Sequence, residues 1–441
     1  HLLDVDAAQI LLDCGLFQGS KELDGRNNTF PFNPRDIDYV LISHGHIDHC
    51  GRLPLLVKRG FRGKIIATHA TVDLCSILLR DSARLEEADT HRENIYRKSK
   101  GLPPLKPLFT ERDAAKCSKL FQGVDYDRVV KLDGIEVVFR DAGHILGSAI
   151  MEIWADGVKF VYSGDIGRPG MPILRDPSAV DSADYLVMES TYGSTKHPPF
   201  SPIINRVKRM VLKVYRRGSK LLIPAFSIGR TQTIIYILNH LVENNQIPVV
   251  PVYVDSPLAV DATEIFRRHP ECYDAEFNEL LESGDDPLTF KGLKYVRDDE
   301  ESFEVSNKRE TSIIIAASGM CTGGRIKNHL ERHVSDPDSI LLFAGYQARG
   351  TLGRKLVEGK KNVKIYGRRY PVRIRVEMLH GLSAHADKND LMRWVERIKN
   401  LRGVFLVHGE YWESQALAKS ISSKKRVKVK IPKQGEAIEL H

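Results

Sequence analysis

The chain has 441 residues, 42% of them hydrophobic and 28% charged, with a formal net charge of +8. That length allows two or three domains with buried cores, no apolar run is long enough to span a bilayer, and no secretory leader pattern opens the chain. The basic balance favours an anionic partner such as nucleic acid, and the six scattered cysteines, with no C-x-x-C pair, suit a reduced cytoplasmic protein rather than a disulfide scaffold.

The first residues lie inside an apolar run with no initiator Met, so the chain reads as truncated, with room for an N-terminal edge strand ahead of it. Residues 8–13 read as a strand ending on Asp13. Residues 37–43 read as a strand that delivers His44-Gly45-His46-Ile47-Asp48-His49. A short strand at 64–68 precedes a helix over 71–90, and the basic, proline-containing stretch 98–106 reads as a loop. Strands at 135–139, 149–154 and 158–163 follow. The first leads to Asp141-Ala142-Gly143-His144 and the last ends in Ser163-Gly164-Asp165. A strand at 185–188 ends on Glu189.

From about 196 to 370 the pattern changes. Strands at 220–224, 250–254, 312–316 and 339–343 alternate with helices at 230–243, 260–268 and 323–333, which predicts a parallel sheet with crossover helices. Residues 270–310 are acidic, polar and less regular. After 371 short strands and helices return. A strand at 404–407 ends on His408-Gly409-Glu410, and the alternating Lys and Val of 424–430 fit a solvent-facing edge strand.

Four potential metal ligands within six residues, His44 to His49, are denser than any core or surface role requires. Neutral imidazole is the commonest zinc ligand, and carboxylate oxygens also bind zinc. Asp13, His44, His144, Asp165, Glu189 and His408 each fall at or just past the carboxyl end of an apolar strand, where an α/β sheet gathers its functional groups. A pair of divalent ions can activate water and clamp the attacking and leaving oxygens of a phosphodiester. On that chemistry His44, His46 and His144 hold one ion, and Asp48, His49 and His408 hold the other. Asp165 bridges them. Asp13 reads as a residue that orients a ligand rather than binding metal itself. His69, His91, His197, His269 and His333 have no motif around them and read as surface residues.

These residues resemble the ligand motifs of the metallo-β-lactamase superfamily. Glu189-Ser190-Thr191-Tyr192-Gly193, Ser383-Ala384-His385-Ala386-Asp387 and Val407-His408-Gly409-Glu410 resemble the three further motifs of its β-CASP branch, which processes nucleic acids. The resemblance covers essentially the whole chain. It is closest to RNA-cleaving members related to the cleavage and polyadenylation endonuclease subunit, in their compact prokaryotic form without KH domains.

The resemblance implies an α/β fold, an αββα sandwich with an inserted β-CASP domain: residues 1–195 and 371–441 form the lactamase-like domain and 196–370 the insertion. It implies a metal-dependent ribonuclease of RNA processing or decay, with two zinc ions in preference to manganese, single-stranded RNA as substrate, and scope for a homodimer. The residue matching His385 serves there as general acid, paired with the residue matching Glu189, and Asp48 counts with them as catalytic. In the insertion, the turns 224–232 and 317–325 read as phosphate contacts through Arg230, Ser318, Gly319 and Arg325, because helix N-termini and glycines let backbone N–H groups approach anions. Tyr346 and Arg349 are candidates to stack on or pair with RNA. The competing readings are a small-molecule hydrolase of the lactamase or glyoxalase type, a nuclease acting also on DNA, and an RNA-binding scaffold without turnover. The complete ligand set opposes the last.

Overall fold

The computed structural model describes residues 1–17 and 25–440. The chain separates into two units. The first comprises His1–Gly170, Arg175–Lys196 and His385–His441; the second comprises Met171–Leu174 and His197–Ala384.

In the first unit β1 (Leu2–Val5), β2 (Ala8–Leu12), β3 (Tyr39–Leu41), β4 (Lys64–Thr68) and β5 (Phe121–Val124) form a sheet in that order, parallel except for the β1–β2 pair. A second sheet starts with β6 (Val129–Leu132), β7 (Ile135–Asp141), β8 (Ala149–Ala155) and β9 (Val158–Tyr162) as an antiparallel meander. It then gains β10 (Tyr185–Glu189) in parallel.

The period-2 alternation of strands sorts side chains into layers. Ile10, Leu12, Leu41 and Ile66 of the first sheet meet Val137, Phe139, Met151, Ile153 and Val187 of the second in one core. Leu11, Val40, Ile42 and Ile65 point the other way, onto Leu53, Leu56, Cys75 and Leu79 of the helices Leu53–Lys58 and His69–Ser99. Val161, Leu186 and Met188 cover the opposite face with Leu391, Val395, Leu417 and Ile421 of the helices Lys388–Arg397 and Tyr411–Lys424. The unit is therefore an αββα sandwich.

The second unit is α/β. Its strands are β11 (Lys220–Pro224), β12 (Val252–Asp255), β13 (Leu293–Val296), β14 (Ser312–Ala316), β15 (Ile340–Phe343), β16 (Asn362–Ile365), β17 (Arg368–Pro371) and β18 (Arg375–Met378). Six of them form a wholly parallel sheet in the order β13-β12-β14-β11-β15-β18, flanked by helices, and β16 and β17 make a hairpin. The chain then returns to the first unit with β19 (Gly403–Val407) and β20 (Lys428–Lys430), completing the order β20-β19-β10-β9-β8-β7-β6.

Several boundaries differ from the sequence reading. The second unit runs past residue 370 to Ala384 because β18 adds in parallel to the β15 edge. The long helix continues to Ser99, since no glycine or proline interrupts it before Gly101. Residues 270–310 hold the helices Ala275–Glu282 and Asp299–Asn307 and the edge strand β13. Only Lys428–Lys430 of the Lys/Val run is strand, because the preceding helix extends to Lys424.

Asp255, at the carboxyl end of β12, is wholly buried. It accepts from Ser302 Oγ at 2.6 Å and Arg325 Nη1 at 2.7 Å, and lies 2.6 Å from His329 Nε2. Removing one member of a buried charged network strands its partners. Asp255→Ala is expected to destabilise the second unit by about 3–5 kcal/mol, read as a lower urea midpoint for that unit's unfolding transition.

Candidate metal centre

Strand direction brings the predicted ligands together. Asp13 follows β2, His44 follows β3, His144 follows β7, Asp165 follows β9, Glu189 closes β10 and His408 follows β19. Asp13 and His408 leave their strands through left-handed backbone, φ 59° and 49°, which is uncommon for residues other than glycine. The loop after His144 is tied down at Gly147. Its carbonyl accepts from Thr68 Oγ1 at 2.6 Å and Thr71 Oγ1 at 2.8 Å, and a Cβ there would meet Thr71 N at 2.6 Å. Ser148 Oγ accepts from the His144 amide at 2.9 Å.

The predicted ligands fall into two donor sets, and Asp165, Glu189 and His385 make a third cluster beside them. In the first, His46 Nδ1 lies 3.0 Å from His44 Nε2 and 3.3 Å from His144 Nε2, while Asp165 Oδ2 lies 3.5 Å from His44 Nε2 and 3.6 Å from His144 Nε2. In the second, His408 Nε2 lies 3.3 Å from His49 Nε2 and 3.5 Å from Asp48 Oδ2. Asp165 reaches this set too, 3.4 Å from His49 Nε2 through Oδ2 and 3.3 Å from His408 Nδ1 through Oδ1. Within each set the donor atoms lie within 4.8 Å of one another. Asp165 Oδ1 is buried and has no hydrogen-bond partner. Imidazole lone pairs converging on an unsatisfied carboxylate oxygen fit a cation, as few other arrangements of these groups do.

The electrostatics divide the two sets. Burial pulls His44 and His144 well below the usual imidazole range and His46 down to about 4, which keeps all three neutral as ligands must be. His49 goes the other way. Burial opposes its charge, but Asp165 and Asp13 hold it well above its ordinary value. His408 is pushed up to about 9, where Asp165 and Asp48 outweigh burial. Asp165, despite burial, is held far below the usual carboxylate range by His408 and His49.

Asp13 lies behind the His49 ring. It accepts from Ser43 N, Ser43 Oγ and Tyr162 OH, each at 2.7 Å, and lies 2.7 Å from His49 Nδ1. His49 Nε2 is thereby turned to the donor set. Thr191 Oγ1, 3.1 Å from His408 Nδ1, does the same for that ring. Sequence reasoning misses Tyr162 and meets Thr191 only as a member of the motif at 189–193. The signal available was a tyrosine at an inward strand position, whose hydroxyl needs a buried partner.

His385 and Glu189 also meet. Glu189 is fully buried, and its Oε1 accepts from Ile166 N at 2.6 Å and lies 3.2 Å from His385 Nδ1. Burial opposes the imidazolium form of His385, but Glu189 raises its proton affinity above the ordinary value. The ring is 3.9 Å from Asp165 Oδ2.

The second unit gathers its own predicted contacts at the carboxyl ends of the adjacent strands β14, β11 and β15. Tyr346 and Arg349 are exposed. Gln347 Nε2 donates to Gly319 O at 3.0 Å, and Arg230 Nη1 donates to Ala344 O. Ser318 Oγ accepts from Thr322 N and Gly323 N and so shapes its own loop. Arg325 is taken up internally: besides Asp255, it donates to Asp299 and to Arg297 O, both at 2.6 Å. Of the histidines without a motif, His269 is buried rather than superficial, 2.7 Å from Glu271 through Nδ1. The six cysteines are free and buried, and none enters a donor set.

An αββα sandwich that gathers these donors at its strand ends defines a metal-dependent hydrolase. Family models match along the chain: the metallo-beta-lactamase superfamily over residues 2–214, the Beta-Casp domain over 231–356, and the Zn-dependent metallo-hydrolase RNA specificity domain over 369–432. A protein named as a ribonuclease in Thermus thermophilus is 33% identical over 439 residues, 99% of this chain and 96% of that protein. An RNase J-like protein of Methanocaldococcus jannaschii is 30% identical, covering 98% of this chain and 94% of its own length. Transcription termination factor FttA of Methanothermobacter thermautotrophicus is 31% identical over 99% of this chain and 69% of its own. A crystal structure of a protein of unknown function from Enterococcus faecalis shares the fold, with a TM-score of 0.54 at 14% identity over 99% of this chain and 95% of that one. The chain belongs to the β-CASP branch of the metallo-β-lactamase superfamily, whose fold takes a divalent metal cofactor. Among the described residues no helix is long and apolar enough to cross a membrane.

Because Asp13 fixes the His49 ring, Asp13→Ala is expected to weaken divalent-metal affinity about 10–100-fold, measured by competition with a chromophoric chelator. Tyr162→Phe, which removes one of the bonds to Asp13, should show a smaller loss in the same assay.

Proposed function

We propose that this protein is a zinc-dependent ribonuclease that hydrolyses phosphodiester bonds of single-stranded RNA in RNA processing or decay. The observation that carries the reading is the pair of donor sets sharing Asp165, with the His385–Glu189 pair beside them. His44, His46, His144 and Asp165 would hold one zinc ion; Asp48, His49, His408 and Asp165 the second. A histidine-rich shell supports zinc over manganese. Bound there, the two ions would activate water and neutralise charge on the phosphodiester. The ribonuclease names of the relatives, the RNA-specificity match and the charge of +8 support RNA as the substrate.

The chain's own groups do the rest. Asp13 and Thr191 engage Nδ1 of His49 and of His408 and keep the two rings oriented. Glu189 engages Nδ1 of His385 and favours its protonated form, so donation to the departing 3′-oxygen is assigned to Nε2. The buried, reduced thiols support a reducing compartment such as the cytoplasm, and the family resemblance allows a homodimer.

The test is RNA labelled separately at each end, incubated with protein loaded to two zinc ions per chain. Cleavage is expected, abolished by chelation and restored by zinc. Asp48→Asn should lose both bound metal and activity. His385→Ala should keep its metal while kcat falls by about 10²–10⁴. Intact RNA with fully loaded protein would overturn the reading, and full activity in His385→Ala would remove the acid role alone. The two labels separate internal cuts from stepwise 5′ removal, and cleavage of DNA at an equal rate would widen the substrate class.

A further inference from the structure

Three and four residues beyond His408, two large aromatic side chains stand in solvent. Tyr411 is 65% and Trp412 58% exposed, and they are consecutive. They open the helix Tyr411–Lys424, and the next two residues are buried, Glu413 at 3% and Ser414 at 2%. The buried pair fastens that first turn to the loop carrying the residues after Glu189. Glu413 accepts from Ser194 N at 2.5 Å and Thr195 Oγ1 at 3.1 Å, and Ser414 Oγ lies 2.7 Å from Ser190 Oγ. Gly193 packs so closely that a Cβ there would lie 2.4 Å from Glu413 O. The aromatic pair is thus displayed from a rigid support.

Its position ties it to the metal centre. Four residues of chain reach at most about 14 Å, which bounds the separation of the Trp412 and His408 backbones. The same loop holds Tyr192, whose ring centroid is 6.1 Å from that of His385. Exposed apolar area on an ordered turn contributes nothing to the core. Rigid aromatics bind with little conformational entropy to lose, and every nucleobase offers a π-face to stack on.

We infer that Tyr411 and Trp412 form a stacking platform for an unpaired base flanking the scissile phosphate. This rests on the ribonuclease reading. The platform requires that a base be present and unpaired, not which base it is, and it helps to set which phosphodiester lies over the metal centre.

The full-length, zinc-loaded chain is titrated with a short phosphorothioate oligouridylate that resists hydrolysis, following tryptophan emission. The other two tryptophans are more enclosed: Trp394 is 7% exposed, and Trp154 is half-buried under Lys159. Binding should quench emission in the parent, and Trp412→Phe should bind with near-parent affinity but lose the quench. Trp412→Ala and Tyr411→Ala should each weaken binding on the order of ten-fold. An abasic substitution at one nucleotide should produce the same loss, without adding to that of Trp412→Ala. Parent affinity in Trp412→Ala would overturn the platform. So would an equal loss in Tyr96→Ala, an exposed aromatic on the long helix. A change confined to the sedimentation of free protein would mark the pair as a protein contact instead. If the parent binds no RNA, the ribonuclease reading itself fails, which separates the two outcomes.

Discussion

Asp165 is a single buried carboxylate facing five imidazoles, those of His44, His49, His144, His385 and His408, at 3.3–3.9 Å. An ionised carboxylate out of water is costly unless opposite charge surrounds it. Every element that contributes an imidazole is therefore held to a narrow position, and the fold supplies that hold through its strand ends. The two sheets of the first unit are ordinary apolar layers along most of their length. Only at one end do they change from Val, Ile and Leu to His, Asp and Glu.

The consequences spread outward from that end. The ligand rings are steered by a second circle of groups, Asp13, Thr191, Ser43 and Tyr162, none of them on the helices that cover the sheets. Those helices work through the core: Leu53, Leu79, Leu391 and Leu417 keep the sheets covered and flat against one another. The second unit repeats the logic with different chemistry. Its parallel strands end in small-residue loops, and Asp255 is held by the Arg325 guanidinium and the His329 ring, so the buried carboxylate there ties loops together.

The clustering of these donors was legible in the sequence because His44 to His49 is denser in donors than a core or surface role requires and because strand endings can be read from apolar runs. Distance was not legible. Tyr162 lies in a different part of the chain from Asp13, 149 residues away, and only the packed sandwich makes them partners. Arg325 reads from sequence as a cation beside a glycine-rich turn; nothing local reveals that Asp255, Asp299 and two backbone carbonyls take up its guanidinium. Edge strands such as β13 and β18 were missed because their half-exposed residues lack a continuous apolar run, and pairing with β12 and β15 supplies what periodicity does not.

The first unit is interrupted: β10 and β19 are parallel neighbours in one sheet, yet the whole of the second unit lies between them in sequence. During synthesis the chain emerges N-terminus first. Asp48, His49 and Asp165 are therefore made long before His385 and His408, and a half-made chain lacks the imidazole that completes the second donor set and the one that pairs with Glu189. The second donor set is therefore incomplete until β19 and His408 have been made. The cost is kinetic, because closing so long a loop to pair β10 with β19 makes the final sheet a slow, late event.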